Sequence, residues 1–293
     1  MRLVTFSTNI NNQMRTGVVV DDEIVDLTDP TIGLPGDMSK LLALGEAGLA
    51  AAHTATTGPA RRFLIGEVSL CSPIAMPPKI LGIGMNYRDH VAELGRQAPE
   101  YQYWFNKQRT SISHPGAPIL IPRVSNQVDY EGELAMIIGR FCQNVPKERA
   151  MEVVAGFSVI NDVSVRDWQW RTPTFTLGKS FNSHAPLGPW MSTPDEVGDV
   201  TNLAIRTWVN DELRQNSSTA ELIFNPAEMI AYLTSAFPLE PGDIIATGTP
   251  AGVGAGFDPP KWLEAGDTVR IEIEGIGTLE NPVEKEGAIS PLL

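Results

Sequence analysis

Residues 131–138 read EGELAMII, an alternating run that predicts a β-strand whose successive side chains point to opposite faces. Residues 268–274 (TVRIEIE) alternate in the same way, and the glycines of residues 275–277 turn them back into a further strand over 278–283. Because strands outnumber helices and no strand–helix–strand rhythm is present, we expect a folded-over, mostly antiparallel sheet. The predicted fold class is therefore α+β and predominantly β.

Two helices are predicted in the C-terminal part of the chain. Residues 146–155 begin with a proline in the first turn, and residues 226–237 have Asn225 as a cap with Glu228 three residues after it. Pro238 ends the second helix, because the residue before a proline disfavours helical geometry.

The first 73 residues predict a small β-rich N-terminal domain. Three short strands fall within residues 2–28, a helix is expected over 38–49, and the Ala-, Thr- and Gly-rich residues 50–59 predict a loop. Three prolines then precede an apolar strand, KILGIG. We place the domain boundary between residues 73 and 74, so that residues 74–293 form the larger domain.

The 293-residue chain is acidic, since 22 Lys and Arg against 35 Asp and Glu give a formal net charge of −13. So few, scattered cations argue against nucleic acid or an anionic membrane as a partner. No run approaches the roughly 20 apolar residues of a membrane span, and the N-terminus lacks the apolar core of a signal peptide. Cys71 and Cys142 have no metal-binding spacing, so we expect free thiols and a cytoplasmic protein.

Three carboxylates are the strongest chemical signal. Glu131 and Glu133 lie two apart on a predicted strand and therefore project from one face, and Asp162 ends another apolar run. Buried together, these anions would repel each other unless a cation lay between them. Hard oxygen donors without Cys or clustered His favour Mg²⁺ or Mn²⁺ over zinc. The alternative is an exposed strand face that carries solvated glutamates.

Other polar residues are spaced for chemistry but are individually weak signals. His90 and Glu93 are three apart, so on a short helix the carboxylate would orient the imidazole and raise its basicity. Arg166 and Gln169 lie one turn apart just after Asp162, within reach of a ligand held there. The backbone N–H groups of the glycine-rich residues 247–254 would suit a carboxylate. Surface ion pairs and ordinary turns are the alternatives for each.

In their order, these motifs resemble the fumarylacetoacetate hydrolase family, and in particular its short acylpyruvase-like members, which act on 2,4-diketo acids. The resemblance covers about residues 75–285. The matching blocks are GMNY (84–87) with His90 and Glu93, Phe105 with Lys107, DYEGE (129–133), NDVS (161–164) with Arg166, Asp167 and Gln169, GKSF (178–181), PGD (241–243) and TGTPAGVG (247–254).

The resemblance implies that the larger domain is a mixed β-sandwich roll, catalytic, and assembled as a homodimer. It also implies one divalent cation per subunit, Mg²⁺ or Mn²⁺, with Glu131, Glu133 and Asp162 as its ligands. By the same match, His90 and Glu93 look like an acid–base pair on a segment that acts as a lid. The remaining implied site residues are Lys179 as a catalytic residue and Arg166, Gln169, Thr249 and Tyr87 as substrate contacts.

Two positions depart from the family's pattern. Gln108 follows Lys107 where many relatives carry proline, so the role of Lys107 is left open. His184 stands where relatives often carry an aromatic residue. We interpret it as a polar residue at the rim of the pocket, with substrate selectivity as the alternative.

The resemblance implies that a small keto acid is the substrate, with hydrolysis of a carbon–carbon bond in a 2,4-diketo acid as the reaction. The products would be pyruvate, or a related 2-keto acid, and a carboxylic acid. Decarboxylation of an oxaloacetate-like acid, or enol–keto isomerisation or lyase chemistry, is the alternative on the same metal–enolate platform. A protein of another class, in which the carboxylates hold a structural Ca²⁺, would give His90 no role.

Overall fold

The computed structural model describes residues 1–8 and 13–287, and within these ranges it contains nineteen strands and six α-helices. The strands are β1 (Arg2–Ser7), β2 (Met14–Val20), β3 (Glu23–Asp26), β4 (Arg62–Leu64), β5 (Ser69–Cys71), β6 (Ile80–Gly84), β7 (Tyr103–Lys107), β8 (Ile112–Ser113), β9 (Ile119–Ile121), β10 (Val128–Asp129), β11 (Gly132–Ile138), β12 (Val154–Asn161), β13 (Ser164–Val165), β14 (Ala185–Ser192), β15 (Ala204–Val209), β16 (Glu212–Ser218), β17 (Ile244–Ala246), β18 (Thr268–Ile273) and β19 (Gly277–Lys285). The helices are α1 (Met38–Leu42), α2 (Gly45–Ala55), α3 (Arg88–Glu93), α4 (Arg166–Gln169), α5 (Pro194–Val197) and α6 (Pro226–Ala236).

Most strands belong to one large sheet. Its main path runs β4-β3-β2-β1-β14-β12-β11-β17-β6-β7, and every neighbouring pair on this path is antiparallel except β17 with β6. A second sheet runs β16-β15-β18-β19-β9, and β10 pairs with β13. The prediction of a mostly antiparallel, predominantly β fold is confirmed.

Strand β11 lies between two hydrophobic cores, which explains why all seven of its residues are buried. Leu134, Met136 and Ile138 pack into a core that also contains residues of the second sheet, whereas Ala135 and Ile137 pack into the core beside α1 and α2. Alternate side chains of β11 therefore enter two different hydrophobic cores, and neither face of the strand is exposed to solvent. By the same alternation, Glu133 lies on the face that carries Ala135 and Ile137.

The helix predictions succeed where capping is explicit and fail elsewhere. Helix α6 matches its prediction to within one residue, with the capping box of Asn225 and Glu228 formed. Residues 50–59 are not all loop, because α2 continues to Ala55, where the small residues Ala52 and Ala55 pack into a core. The helix predicted over 146–155 is a 3₁₀ helix at Lys147–Val153, since β12 begins at Val154.

The N-terminal strands join the large sheet through β1 and β14, which pair at Arg2 with Ser192 and at Leu3 with Met191. Leu3 also shares a core with Leu187 and Ile137. The division into residues 1–73 and 74–293 stays a prediction. The two parts contact each other through strand hydrogen bonds and through apolar side chains.

Cys71 and Cys142 are both buried as free thiols. Across the described residues, the helices are all too short or too polar to span a membrane.

Candidate active site

Three carboxylates meet where β11 begins and β12 ends. These strands are antiparallel neighbours with Gly132 opposite Asn161, so Glu131 and Glu133 lie beside Asp162, the residue after β12. One carboxylate oxygen from each lies within 4.8 Å of those of the other two. Glu131, Glu133 and Asp162 are only 6%, 1% and 0% exposed, so the alternative of a solvated strand face is wrong.

The backbone holds these residues in register. Asp162 N–H donates to Glu131 O (2.9 Å), and Glu131 N–H donates to Asn161 Oδ1 (3.0 Å). Gly132 lies between the two glutamates, where a Cβ atom would come within 2.3 Å of Thr207 Oγ1. Glycine is therefore required for the chain to approach β15 at this point.

Two buried lysines and an arginine face this carboxylate cluster. Lys179 Nζ donates to Glu131 Oε2 (2.7 Å) and to Asp162 Oδ2 (2.6 Å), and Lys107 Nζ donates to Asp162 Oδ1 (2.6 Å). Arg166 Nη1 lies 2.6 Å from Glu131 Oε1. Glu133 has no such ion pair within the described ranges; its Oε2 accepts from Gly248 N–H (2.7 Å).

The pKa directions follow from this arrangement. Burial and the repulsion of Asp162 and Glu131 raise the pKa of Glu133 well above its usual range. Burial also disfavours ionised Glu131, but the attraction of Lys179 and Arg166 outweighs it and lowers the pKa. Burial lowers the pKa of Lys107, whose neighbour Lys179 adds repulsion, whereas for Lys179 two carboxylates outweigh burial and raise the pKa.

The cluster fits a divalent cation. Its donors are hard carboxylate oxygens, and within the described ranges no cysteine or histidine is grouped with them. The raised pKa of Glu133 reflects a buried carboxylate that lacks a positive partner, which is the position that a dication would neutralise. Glu131, Glu133 and Asp162 are the residues that would hold it.

The predicted acid–base pair is formed on the short helix α3. His90 Nδ1 lies 3.0 Å from Glu93 Oε2, and the other Glu93 oxygen accepts from Gly252 N–H (2.9 Å). Burial opposes ionisation of Glu93, but these two hydrogen bonds outweigh it and lower the pKa. An ionised Glu93 accepts a hydrogen bond from Nδ1–H of His90, which leaves Nε2 as the ring nitrogen that is free to take a proton.

A cavity beside the carboxylate cluster is lined by six of the predicted site residues, and five of them are His90, Glu131, Arg166, Gln169 and Lys179. Thr249 also lines it, but its hydroxyl donates to Gly132 O (3.0 Å) and accepts from Gln215 Nε2 (2.8 Å). The single hydroxyl hydrogen of Thr249 is therefore already engaged with the backbone between the two glutamates.

Three other residues that the sequence analysis singles out, Tyr87, Lys107 and His184, do not line this cavity. Tyr87, the residue before α3, is fully buried and does not line the cavity, and its hydroxyl has no partner among the described residues. Its role as a substrate contact stays a prediction. Lys107 lies behind Asp162. The interpretation of His184 as a rim residue is wrong, because its ring is fully buried and donates from Nε2 to Leu120 O (2.8 Å).

Two residues that organise the site are absent from the predictions. Asp129 accepts from Gly254 N–H (2.7 Å), Ala255 N–H (2.9 Å) and Arg166 Nε (2.9 Å), and thus ties the glycine-rich loop to the arginine. Its place in the DYEGE block was an available signal. Gln215, which orients Thr249, lies on β16 in a stretch without any motif.

The comparisons with known proteins agree with this geometry. The family model described as fumarylacetoacetate hydrolase, C-terminal, matches residues 79–284. The oxaloacetate tautomerase fahd2, mitochondrial, of Xenopus laevis is 42% identical over 97% of this chain and 90% of its own length. The oxaloacetate tautomerase YisK of Bacillus subtilis is 38% identical over 93% and 97%.

A solved relative adds information on the metal. The maleylpyruvate hydrolase of Sphingobium sp. SYK-6, in complex with manganese(II) and pyruvate, superposes with a TM-score of 0.82 at 33% identity, covering 98% of this chain and 100% of that one. It carries a divalent ion together with a 2-oxo acid, in keeping with the carboxylate cluster and cavity described above.

Proposed function

The chain belongs to the fumarylacetoacetate hydrolase family, and from that membership we propose that it is a divalent-metal-dependent hydrolase that cleaves a carbon–carbon bond in a 2,4-dioxo acid. The observation that carries the proposal is the His90–Glu93 pair at 3.0 Å, with His90 lining the cavity that the carboxylate cluster also borders. The cation bound by Glu131, Glu133 and Asp162, Mg²⁺ or Mn²⁺, would polarise the 2-oxo group and stabilise negative charge on its oxygen.

The residues of the chain supply the proton transfers. His90 Nε2, with the ring held at Nδ1 by Glu93, takes a proton from water, and the hydroxide adds to the carbonyl carbon at position 4 of the substrate. The bond between carbons 3 and 4 then breaks, with its electron pair moving to carbon 3 to give the enolate of a 2-oxo acid. The imidazolium of His90 returns the proton to carbon 3, so the products are a carboxylic acid and pyruvate or its homologue.

The buried cations hold and balance charge around this reaction. Lys179 uses two of its three N–H donors on Glu131 and Asp162, which leaves one for a substrate oxygen. Arg166 and Gln169 line the cavity next to Glu131 and are fixed to each other by a hydrogen bond of 2.9 Å. They would orient the head group of the acid.

Enol–keto tautomerisation of oxaloacetate is a second candidate, and the two tautomerases at 42% and 38% identity specifically favour it. That reaction moves a proton between carbon 3 and an oxygen and needs no attacking water, so the same His90–Glu93 pair would serve. The homodimer implied by the resemblance remains a prediction for either activity.

A substrate panel tests the proposal. We expect the Mn²⁺-loaded protein to convert acetylpyruvate into equal amounts of acetate and pyruvate, measured by NMR. His90→Asn should lower kcat about 10²–10⁴-fold while retaining Mn²⁺ affinity, with His53→Asn, an exposed histidine, as the matched control. Conversion of enol to keto oxaloacetate without loss of acetylpyruvate would reject the hydrolase in favour of the tautomerase. Full activity of His90→Asn would reject both.

A further inference from the structure

The cavity continues away from the carboxylate cluster along four aromatic side chains, Tyr103, Phe105, Trp170 and Phe175, here called the aromatic wall. Phe175 is central, with ring-centroid distances of 5.3 Å to Tyr103, 6.3 Å to Phe105 and 5.2 Å to Trp170. Lys179 Nζ lies 4.9 Å from the Phe105 ring centroid. The wall therefore begins at the cation that contacts the carboxylate cluster.

The other end of the aromatic wall is also a cation. The Arg96 guanidinium lies 5.8 Å from the Trp170 ring centroid, and its Nη1 lies 3.6 Å from Met85 Sδ. Arg96 lines the same cavity and is exposed to solvent. A substrate that lies along the wall would thus reach from Lys179 at one end to Arg96 at the other.

Arg96 differs electrostatically from the other cations of the cavity. Arg166 and Lys179 are both ion-paired with buried carboxylates. Among the described residues, none places a carboxylate within 4.0 Å of Arg96, whose charge is therefore available to a ligand. Guanidinium groups bind carboxylates through paired N–H donors.

Two residues that line the cavity have strained backbone conformations. Met85 and Phe175 have φ values of 55° and 60°, in the left-handed region that bulky residues rarely adopt, and both line the cavity. Such strained conformations concentrate at ligand sites. The strained residues are the one that contacts Arg96 and the one at the centre of the aromatic wall.

We propose that Arg96, stacked on Trp170, is a specificity-determining residue that binds a terminal carboxylate on the tail of the substrate, with the tail lying along the aromatic wall. This inference rests on the proposed function, since it assumes that a 2-oxo acid head occupies the end beside the carboxylate cluster. It names the substrate class as an elongated 2-oxo dicarboxylic acid. Oxaloacetate is too short, because its second carboxylate is separated from the oxo carbon by one methylene group.

A purely structural role for Arg96 makes a different prediction. If the stacking on Trp170 only fixed the segment after α3, removal of Arg96 would weaken every ligand equally. A tail site instead discriminates between ligands that differ only at the far end. The test is therefore a comparison of two ligands across variants, read by binding and not by turnover.

The probes are 2-oxoheptanedioate and 2-oxoheptanoate, which share the head group and chain length and differ only in a terminal carboxylate or methyl group. Isothermal titration into the Mn²⁺-loaded protein should show about three- to tenfold tighter binding of the dicarboxylate, as for one partly exposed charge-assisted pair. Arg96→Gln should abolish this preference, and Arg96→Lys should restore part of it. Arg140→Gln, which removes an exposed arginine whose nearest carboxylate is 3.9 Å away, is the control.

The outcomes separate the two proposals. Equal affinity for both acids in the wild-type protein, or an equal loss for both in Arg96→Gln, overturns the tail site and leaves the proposed function standing. Failure of both acids to bind the metal-loaded wild-type protein contradicts the head-group site and, with it, the tail site.

Discussion

Glu133 shows most clearly what a single residue contributes to the site. Its neighbours Glu131 and Asp162 each form an ion pair with a lysine or arginine. Among the described residues Glu133 forms no ion pair: it accepts a backbone N–H, and burial and repulsion by the other two carboxylates outweigh the attraction of Lys179. A buried carboxylate in this position destabilises the metal-free fold and attracts a cation. The residue is therefore a poor choice for stability and a good one for binding a metal.

Replacing Glu133 by Gln should separate these two effects. We expect Mn²⁺ affinity, measured by titration calorimetry, to fall by more than about tenfold, the loss typical of even an outer-shell change. The pKa of Glu133 is higher in the folded protein than in the unfolded chain. The metal-free wild-type protein therefore has its full stability at pH values below the unfolded-state pKa, where Glu133 is protonated. It loses that contribution as the pH rises through the folded-state pKa. Urea unfolding of Glu133→Gln should lack this contribution, about 1.4 kcal/mol per unit of pKa difference. Unchanged Mn²⁺ affinity would contradict the ligand assignment.

His184 predicts a pH effect of the opposite sign. Burial lowers the pKa of its ring to about 3, so the unfolded chain takes up a proton near pH 6.5 that the folded protein excludes. Stability should therefore fall as pH drops below the unfolded value, by about 2 kcal/mol between pH 6.5 and 5.

The measurement is the free energy of unfolding in urea at these two pH values. His184→Gln, whose amide is able to donate to Leu120 O, should lose less stability on acidification than the wild-type protein does. His53→Gln, at an exposed position, should behave as wild type. Identical pH dependence in all three proteins would show that His184 is protonated without penalty.

Residue-level prediction from sequence succeeded where chemistry is encoded by spacing. Two glutamates two apart on a strand must share a face, and Asp162 was grouped with them as a third carboxylate at the end of another apolar run. His184 was misplaced because a polar residue in a motif does not reveal whether its side chain points into a cavity or into the core. Gln215 was missed because its role depends on β16 lying against the glycine-rich loop, a contact distant in sequence.

At the scale of elements, α3 is the part of the site whose position is least secured by its own sequence. It has six residues, too few for a stable isolated helix. Its attachments are Glu93 to Gly252 N–H, Arg88 Nη1 to Ala220 O (3.0 Å), and Asp89 Oδ2 to the Ser217 hydroxyl (2.6 Å). The end of β16, the residues after it and the glycine-rich loop thus hold α3 beside the cavity.

Removal of the Ser217 hydroxyl should loosen α3 without touching the cavity. We expect amide exchange in residues 88–93 of Ser217→Ala to rise roughly two- to tenfold, as for loss of one hydrogen bond, measured by hydrogen–deuterium exchange. Ser235→Ala, which removes an exposed hydroxyl on α6, is the matched control. Unchanged exchange in residues 88–93 would mean that the Asp89–Ser217 bond does not secure the helix.

The bounds of helices and strands were predicted best where nearby residues in the sequence determine them. Helix α6 carries its own capping box and was placed to within one residue. The ends of α2 and β12 depend on packing, since Ala52 and Ala55 enter a core and Val154 joins the sheet beside β11. Alternation located strands such as β18, but it did not show that β11 is buried on both faces.

At the scale of the whole molecule, we expect metal binding to raise the free energy of unfolding. A cation that binds only the folded protein adds about 2.7 kcal/mol when its free concentration is one hundred times Kd. We therefore expect Mn²⁺ to raise Tm by several degrees in scanning calorimetry, and excess EDTA to reverse the rise. Glu133→Gln should show little shift at the same Mn²⁺ concentration. Equal Tm values for wild-type protein with Mn²⁺ and with EDTA would contradict a metal site in the carboxylate cluster.

The large sheet also has a consequence for synthesis on the ribosome. Strand β1 is synthesised before β14, the neighbour with which it pairs and which ends at Ser192. At roughly 5–20 residues per second, the N-terminal strands must wait on the order of ten seconds or more before that edge of β1 finds its partner. During this interval Leu3 lacks the apolar neighbours Leu187 and Met191. Nascent chains stalled before residue 185 should therefore be the species that recruits chaperones.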